Sequence, residues 1–315
     1  MPLPPALRSR LRLPVVVAPM FLVSSPALVI ASCKAGVLGT VPAANARPSS
    51  EFEAWVREID GALAGHADAA PWGANLSVHR NNARLDEDLD IVVRHKVPVV
   101  VTILGKPDRV VRAVHSYGGI VLHDAATERH ARNAAAAGVD GIIALAGGAG
   151  GHTGWQNPFS LVREIRRFWD GCLILAGAIS DGYGIRAAEV LGADLAYMGT
   201  RFTATRESAA PEAMKQMIVD CKATDILCER QITGIDANYM IPSLTRMGID
   251  VEKLRAGASP EAAGVEENVR SWRDLWSAGH GVSVIDDIPP VSELVDRLER
   301  EYLAACGVPA SGRDR

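Results

Sequence analysis

Leu13-Pro14-Val15-Val16-Val17-Ala18-Pro19-Met20-Phe21 decides between two α/β architectures. Three consecutive valines are a short β-branched apolar run, cut off by a small residue and a proline, which reads as a buried strand. A doubly wound open sheet that binds a dinucleotide calls for a GxGxxG turn after its first strand; here the turn is Ala18-Pro19-Met20-Phe21. Working outward, runs of the same kind span 15–18, 37–40, 72–76, 97–102, 120–122, 141–145, 173–176 and 195–198. Helix-period segments separate them at 26–35, 49–64, 82–95, 107–117, 127–137, 158–169 and 181–191. Gly36, Gly118, Gly138 and Gly192 stand where a helix C-terminal glycine belongs. The runs are apolar along both faces, as in a parallel sheet covered by helices. Eight such units in about 200 residues predict an α/β fold of the (β/α)8 TIM-barrel type.

After Thr200 the rhythm breaks. Residues 208–221 and 271–276 read as helices, 251–268 as a polar segment, and 291–303 as a closing amphipathic helix. The predicted organisation is a barrel over 1–206, a helical and irregular appendage over 207–290 capping the barrel mouth, and a closing helix and tail over 291–315. Length by itself points to about two domains, although α/β barrels routinely run to about 200–250 residues as a single one.

Composition narrows the function classes. Lys+Arg 33 against Asp+Glu 37 leaves a net charge of −4, which argues against a partner that is nucleic acid or an anionic membrane. With 48% hydrophobic and 22% charged residues the chain has material for a large core. Five cysteines without a CxxC pair (Cys33, Cys172, Cys221, Cys228, Cys306) read as reduced, buried thiols of a cytoplasmic protein. The start of the chain has Pro2, Pro4 and Pro5, then Arg8, Arg10 and Arg12, and no apolar stretch of signal-peptide or membrane-span length. Eight histidines include no HxH or HExxH spacing, so no metal site is expected.

In a barrel, chemistry sits on the loops after the strands. The loop after the sixth run is Ala146-Gly147-Gly148-Ala149-Gly150-Gly151-His152-Thr153-Gly154. Such glycine density lets backbone approach a flat or anionic ligand and presents N–H groups to it. The lone His152 is then an acid or base at the mouth, or else a solvated side chain on a flexible turn. The loops 176–182 and 198–202 follow runs seven and eight, where barrels often bind phosphate. Gly177 and Gly199 permit close approach, and the Thr200 hydroxyl can donate. The alternative is a pair of tight turns in which Ser180 or Asp181 is merely a helix N-cap.

Ala18-Pro19-Met20, Gly73-Ala74-Asn75-Leu76, Gly150-Gly151-His152-Thr153-Gly154, the Gly177 loop and Met198-Gly199-Thr200-Arg201-Phe202 together resemble the nitronate monooxygenase family, formerly called 2-nitropropane dioxygenases. The resemblance runs through nearly the whole chain, including Trp276-Ser277-Ala278-Gly279. It implies FMN as cofactor on a (β/α)8 flavoprotein. Ala18, Pro19 and Met20 would lie beside the isoalloxazine, with Asn75, His123, Gly150 and Gly151 also lining it. Gly177, Ala178, Gly199 and Thr200 would hold the phosphate, and His152 would be catalytic near the flavin N5 edge. It also implies a homodimer. The expected substrate-pocket residues are Trp155, Trp276, Ser277 and His280. Trp155 and Trp276 either wall an apolar pocket or pack between helices; His280 either caps the site or lies on an exposed loop.

One departure concerns the fifth strand. Several relatives end it in His-Lys, where this chain has His123-Asp124. An Asp cannot stabilise negative charge on a reduced flavin, which leaves His123 or a backbone dipole to do so, or else a lower flavin potential, and Asp124 is expected as an N-cap. The resemblance implies oxidation of alkyl nitronates or nitroalkanes by O2 to carbonyl compounds and nitrite. Protonated His152 would hold a nitronate, and neutral His152 would take the α-proton of a nitroalkane. The same scaffold also suits an NAD(P)H-dependent reductase of quinones or enoyl thioesters. A flavin-free isomerase or lyase using the phosphate loops is the third reading.

Overall fold

The computed structural model describes residues 9–307 together with Pro4 and Leu7. Pro2, Pro5, Arg8 and the tail 308–315 lie outside the described residues. Eight parallel strands close into a barrel. They are β1 (Val15–Val17), β2 (Leu38–Pro42), β3 (Trp72–Ser77), β4 (Val99–Ile103), β5 (Ile120–Ala125), β6 (Gly141–Leu145), β8 (Cys172–Ala176) and β9 (Leu195–Met198). The ring closes where Val16 of β1 pairs with Tyr197 of β9. β7 (Gly151–His152) is a short strand outside the barrel, within the glycine-rich loop.

The helices between the strands are α1 (Pro26–Lys34), α2 (Ser49–Leu63), α3 (Leu85–Arg94), α4 (Asp108–His115), α5 (Glu128–Ala136), α6 (Pro158–Arg166) and α7 (Gly182–Leu191). Their starts are chemically marked. Ser25, Thr127, Asn157 and Asp181 each accept a backbone N–H of the first turn, and proline opens α1 and α6. α7 ends at Gly192 with φ +113°, a left-handed cap in which a Cβ would be strained.

Strand alternation sorts the core into two layers. Val15, Val17, Val121 and Ala125 join the cluster between sheet and helices, while Val16, Ile120, Leu122, Ile143 and Ile174 fill the barrel interior. Leu122 is fully buried, so its truncation to alanine costs about 2–5 kcal/mol.

After β9 come α8 (Thr200–Thr203), α9 (Glu212–Asp220), β10 (Ile226–Glu229), β11 (Ala237–Met240), α10 (Ile241–Arg246), α11 (Val251–Arg255) and α12 (Val291–Cys306). β10, β11 and β7 form a three-stranded antiparallel sheet, an element the sequence reading leaves as an irregular stretch. α12 returns to the barrel, where the Glu301 carboxylate accepts from Gly182 N at 2.9 Å and Tyr302 donates to Glu189 at 2.9 Å. Gly182 permits this contact, since a Cβ there would sit 2.2 Å from Tyr302 N.

Three expectations need correction. Residues 271–276 are not a helix: Ser271 bridges Leu275, and Trp272 sits at φ +72°, a conformation that ends any right-handed helix. The helix expected at 208–221 starts only after Pro211. Cys33, Cys172 and Cys221 are buried as expected, but Cys228 and Cys306 are exposed. Among the described residues no helix is long and apolar enough to cross a membrane. Nor do any three His, Cys, Asp or Glu side chains gather there as a metal-ligand group.

Candidate active site

A cavity of about 820 Å³ opens at the C-terminal ends of the barrel strands. Its floor is made by the last inward side chains, among them Asn75 on β3, Asp124 on β5, Leu145 on β6, Ala176 on β8 and Tyr197 on β9. Asn75 donates from its side-chain nitrogen to Val101 O at 3.2 Å. Asp124 turns one part of its side chain to the cavity and is otherwise enclosed. Its Oδ1 is buried with no partner. Burial pushes the carboxyl up to about 7. Tyr197 is raised well above the ordinary phenol by burial first and by the nearby Asp124 second.

The mouth is built by the glycine-rich loop and stitched to the appendage. Ala237 of β11 pairs with His152, and Asn238 with Gly151. Asn238 donates from Nδ2 to Ala149 O at 2.7 Å, Gly151 N donates to the Ser277 hydroxyl at 2.6 Å, and that hydroxyl donates in turn to Asn238 O. His280 N and Ala178 N both donate to Gly148 O, at 2.9 and 3.3 Å. Gly150 is needed here because a Cβ would meet Gly279 N at 2.9 Å.

His152 is half-buried on the cavity wall. Its ring stands edge-on to Trp272 at 5.4 Å and 89°. Trp272 in turn stacks on Tyr239 at 5.4 Å and 9°. Desolvation by this surround lowers the imidazole below its ordinary value, so the neutral form prevails near pH 7. A bulky residue at positive φ is a genuine conformational outlier, and Trp272 is held there on the cavity wall.

The two remaining loops close the opposite wall. Gly177 has φ +132°, and Ala178 adopts φ +56° although it carries a Cβ. Thr200 accepts from Gly279 N at 2.9 Å, which leaves its own O–H able to donate. Ser180 is buried with an unpartnered hydroxyl on the cavity wall, whereas its neighbour Asp181 is the N-cap of α7. Met20 is fixed by N–H donation to Ser24 at 2.9 Å, and its sulfur accepts from Thr203 at 3.1 Å.

Of the expected site residues, Ala18, Pro19, Met20, Asn75, Gly150, Gly151, His152, Gly177, Ala178, Gly199, Thr200 and Ser277 all lie on this cavity. Four lie elsewhere. His123 faces the helix layer because its strand neighbour Asp124 faces inward; its ring pairs with the Thr102 hydroxyl at 2.8 Å, and burial lowers it to about 4. A neutral imidazole pointing away cannot stabilise charge in the cavity. Trp155 is 75% exposed. Trp276 is buried in the appendage under the Arg246 guanidinium, 3.6 Å from its ring. His280 is exposed and does not line the cavity; its backbone N–H and its side chain both lie against Gly148 of the loop. Asp124 is no N-cap, a place Thr127 takes; the two-residue period shared with Ile120 and Leu122 marks it as inward. Trp272, Tyr239 and Asn238 carry no local signal and are set by long-range packing.

A nitronate monooxygenase family model matches residues 75–301. The chain belongs to the nitronate monooxygenase family. A nitronate monooxygenase of Paraburkholderia phytofirmans is 31% identical over 91% of this chain and 92% of its own. The solved structure of FabK from Thermotoga maritima superposes with TM-score 0.79 at 26% identity, covering 96% of this chain and 95% of that one. A nitroalkane oxidase from Streptomyces ansochromogenes has TM-score 0.79 at 24% identity, covering 96% and 99%, a likeness of fold alone. The nitronate monooxygenase family is one of flavoenzymes, and this member is an oxidoreductase.

Proposed function

We propose that the chain is an FMN-dependent enzyme that oxidises alkyl nitronates and nitroalkanes with O2 to carbonyl compounds and nitrite. The observation that carries this reading is a half-buried His152 on an apolar-walled cavity at the barrel mouth, where burial favours its neutral form. The residues fit FMN on two counts. Gly177, Ala178, Gly199 and Thr200 form a backbone cradle in which left-handed φ values and missing side chains admit a close anion, and Ser180 offers an uncommitted hydroxyl beside it. Ala18, Pro19, Met20, Asn75, Gly150 and Gly151 present small or backbone surfaces suited to a flat ring.

Bound FMN supplies the two-electron acceptor and the reactivity with O2. The chain supplies the rest. Neutral His152 takes the α-proton of a nitroalkane, and once protonated it holds the nitronate by charge. Trp272 and Tyr239 keep water from the imidazole, which strengthens both interactions. A second reading, an NAD(P)H-dependent reductase of quinones or enoyl thioesters, is favoured by Arg47, an exposed guanidinium on the cavity rim that suits a phosphorylated co-substrate.

The test is an absorption spectrum of the purified protein, followed by separate anaerobic additions of propyl nitronate and NADPH. Bleaching of the flavin band by the nitronate, with nitrite released on admitting air, supports the first reading. Bleaching by NADPH alone transfers the conclusion to the reductase. A colourless protein that takes up no added FMN removes both.

A further inference from the structure

We propose that Asp124 is a cofactor-binding residue acting as a neutral carboxylic acid, whose O–H donates to a hydrogen-bond acceptor on the flavin ring seated over the barrel floor. This rests on the FMN reading above and deepens it.

β5 turns Asp124 into the barrel with Ile120 and Leu122, at the cavity floor. Oδ1 is covered by protein and has no partner, so Oδ2 is the oxygen the cavity reaches. An unpaired carbonyl oxygen is tolerable in such a place, while an unpaired carboxylate oxygen is far more costly. The arrangement therefore favours a proton on Oδ2, aimed at the cavity.

No cation stands by to hold the acid ionised. The register partner of Asp124 on β6 is Ile143, Thr102 of β4 is paired with His123, and Asn75 already donates to Val101 O. Tyr197 on β9 is the titratable neighbour, and its phenol is neutral. His123 points to the helix layer and is neutral. His152 lies on β7 at the mouth, also in its neutral form. The remaining charged or titratable groups of the lining are Arg47, His79, Arg84 and Asp88. Arg84 is committed to Asp88, Ser49 and Ala46 O. Burial raises the Asp124 carboxyl to about 7, in the direction the geometry demands.

Such a group accepts a ligand by what it can donate. Ring carbonyls and ring nitrogens of an isoalloxazine are neutral acceptors that match one O–H. Once Asp124 ionises, the donor is lost and a negative charge faces a ligand that itself carries a phosphate. FMN affinity is therefore linked to this one proton.

Two measurements on the full chain test the proposal. Infrared difference spectra near pH 6 should show the carbonyl stretch of a protonated carboxylic acid, absent in Asp124→Asn and shifted on FMN addition. FMN Kd, from quenching of flavin fluorescence, should rise with pH above about 7 in the wild type, approaching tenfold per pH unit. Asp124→Asn keeps an N–H donor without charge, so its Kd should stay level over the same range. Asp124→Leu should bind about 2- to 10-fold more weakly at low pH, as one lost hydrogen bond requires. Parallel pH profiles for wild type and Asp124→Asn, or a carboxyl band indifferent to FMN, overturn the proposal. If the variants do not fold, the wild-type band shift still decides. Wild-type protein that binds no FMN at any pH overturns the flavin reading itself. A protonated-carboxyl band in that protein separates the two failures.

Discussion

His152 at the mouth and Asp124 on the floor share one cavity and one physical influence, yet they are placed by different means. Desolvation lowers the base and raises the acid, so each is shifted toward its uncharged form before a ligand. Asp124 owes its position to barrel alternation alone. His152 owes its own to β11, Trp272 and Tyr239, contributed from more than 80 positions along the chain, as its pairing with Ala237 illustrates. A site group fixed by a local rule survives changes in distant packing; one fixed by a long-range contact does not.

That contrast can be broken most directly at His152 itself. His152→Ala should retain bound flavin and lose about 10²- to 10⁴-fold in kcat/KM with neutral nitroalkanes, measured as nitrite release. Activity on preformed nitronates should fall less, because no proton need be removed from them. Unchanged turnover of the neutral substrate would take His152 out of the mechanism.

At the floor, Asp124→Asn should raise the stability of the flavin-free protein at pH 8 by roughly 4 kcal/mol, read from urea midpoints. The sign follows from a folded-state pKa above the unfolded one. Stability of the wild type is greatest at low pH and declines as pH climbs through about 4 to 7, while the variant lacks that decline. Equal pH profiles for the two proteins would mean the carboxyl is not raised.

The dependence of the mouth on the appendage is sharpened by Trp272→Ala. Opening the aromatic wall should let water reach the imidazole and return its pKa toward 6.5. The acid limb of kcat/KM for nitroalkanes should then move to higher pH, with a loss of up to about fourfold near pH 6. An unmoved limb would show that the tryptophan does not set the environment of His152.

Smaller effects are expected further out. Ser277→Ala removes the hydroxyl that joins Gly151 N to Asn238 O, and should cost about 1–2 kcal/mol in thermal unfolding. Trp155→Ala, at an exposed position outside the cavity, should change stability by less than about 0.5 kcal/mol and leave turnover unaltered.

The amino-acid sequence determined the barrel. Three valines before Ala18-Pro19-Met20, seven more apolar runs and the helix stops at Gly36, Gly118, Gly138 and Gly192 are local signals, each readable from propensity and period. It also determined which loops make the cavity, since glycines at 146–154, 177 and 199 follow strand ends by connectivity alone. Tertiary structure decided the facing and the company of the side chains. The run Ile120-Val121-Leu122 is apolar on both faces, so the sequence could not say which parity turns inward; once the closed barrel takes Ile120 and Leu122 inside, alternation along β5 puts Asp124 with them and His123 on the other face. β11, which carries Tyr239, pairs with β7 across more than 80 positions of chain, and Trp272, outside that sheet, stacks on Tyr239 and meets His152 edge-on. Pairing energies of that kind depend on partners that no local window contains, which is why the sequence located His152 but not the aromatic wall that makes it a neutral base.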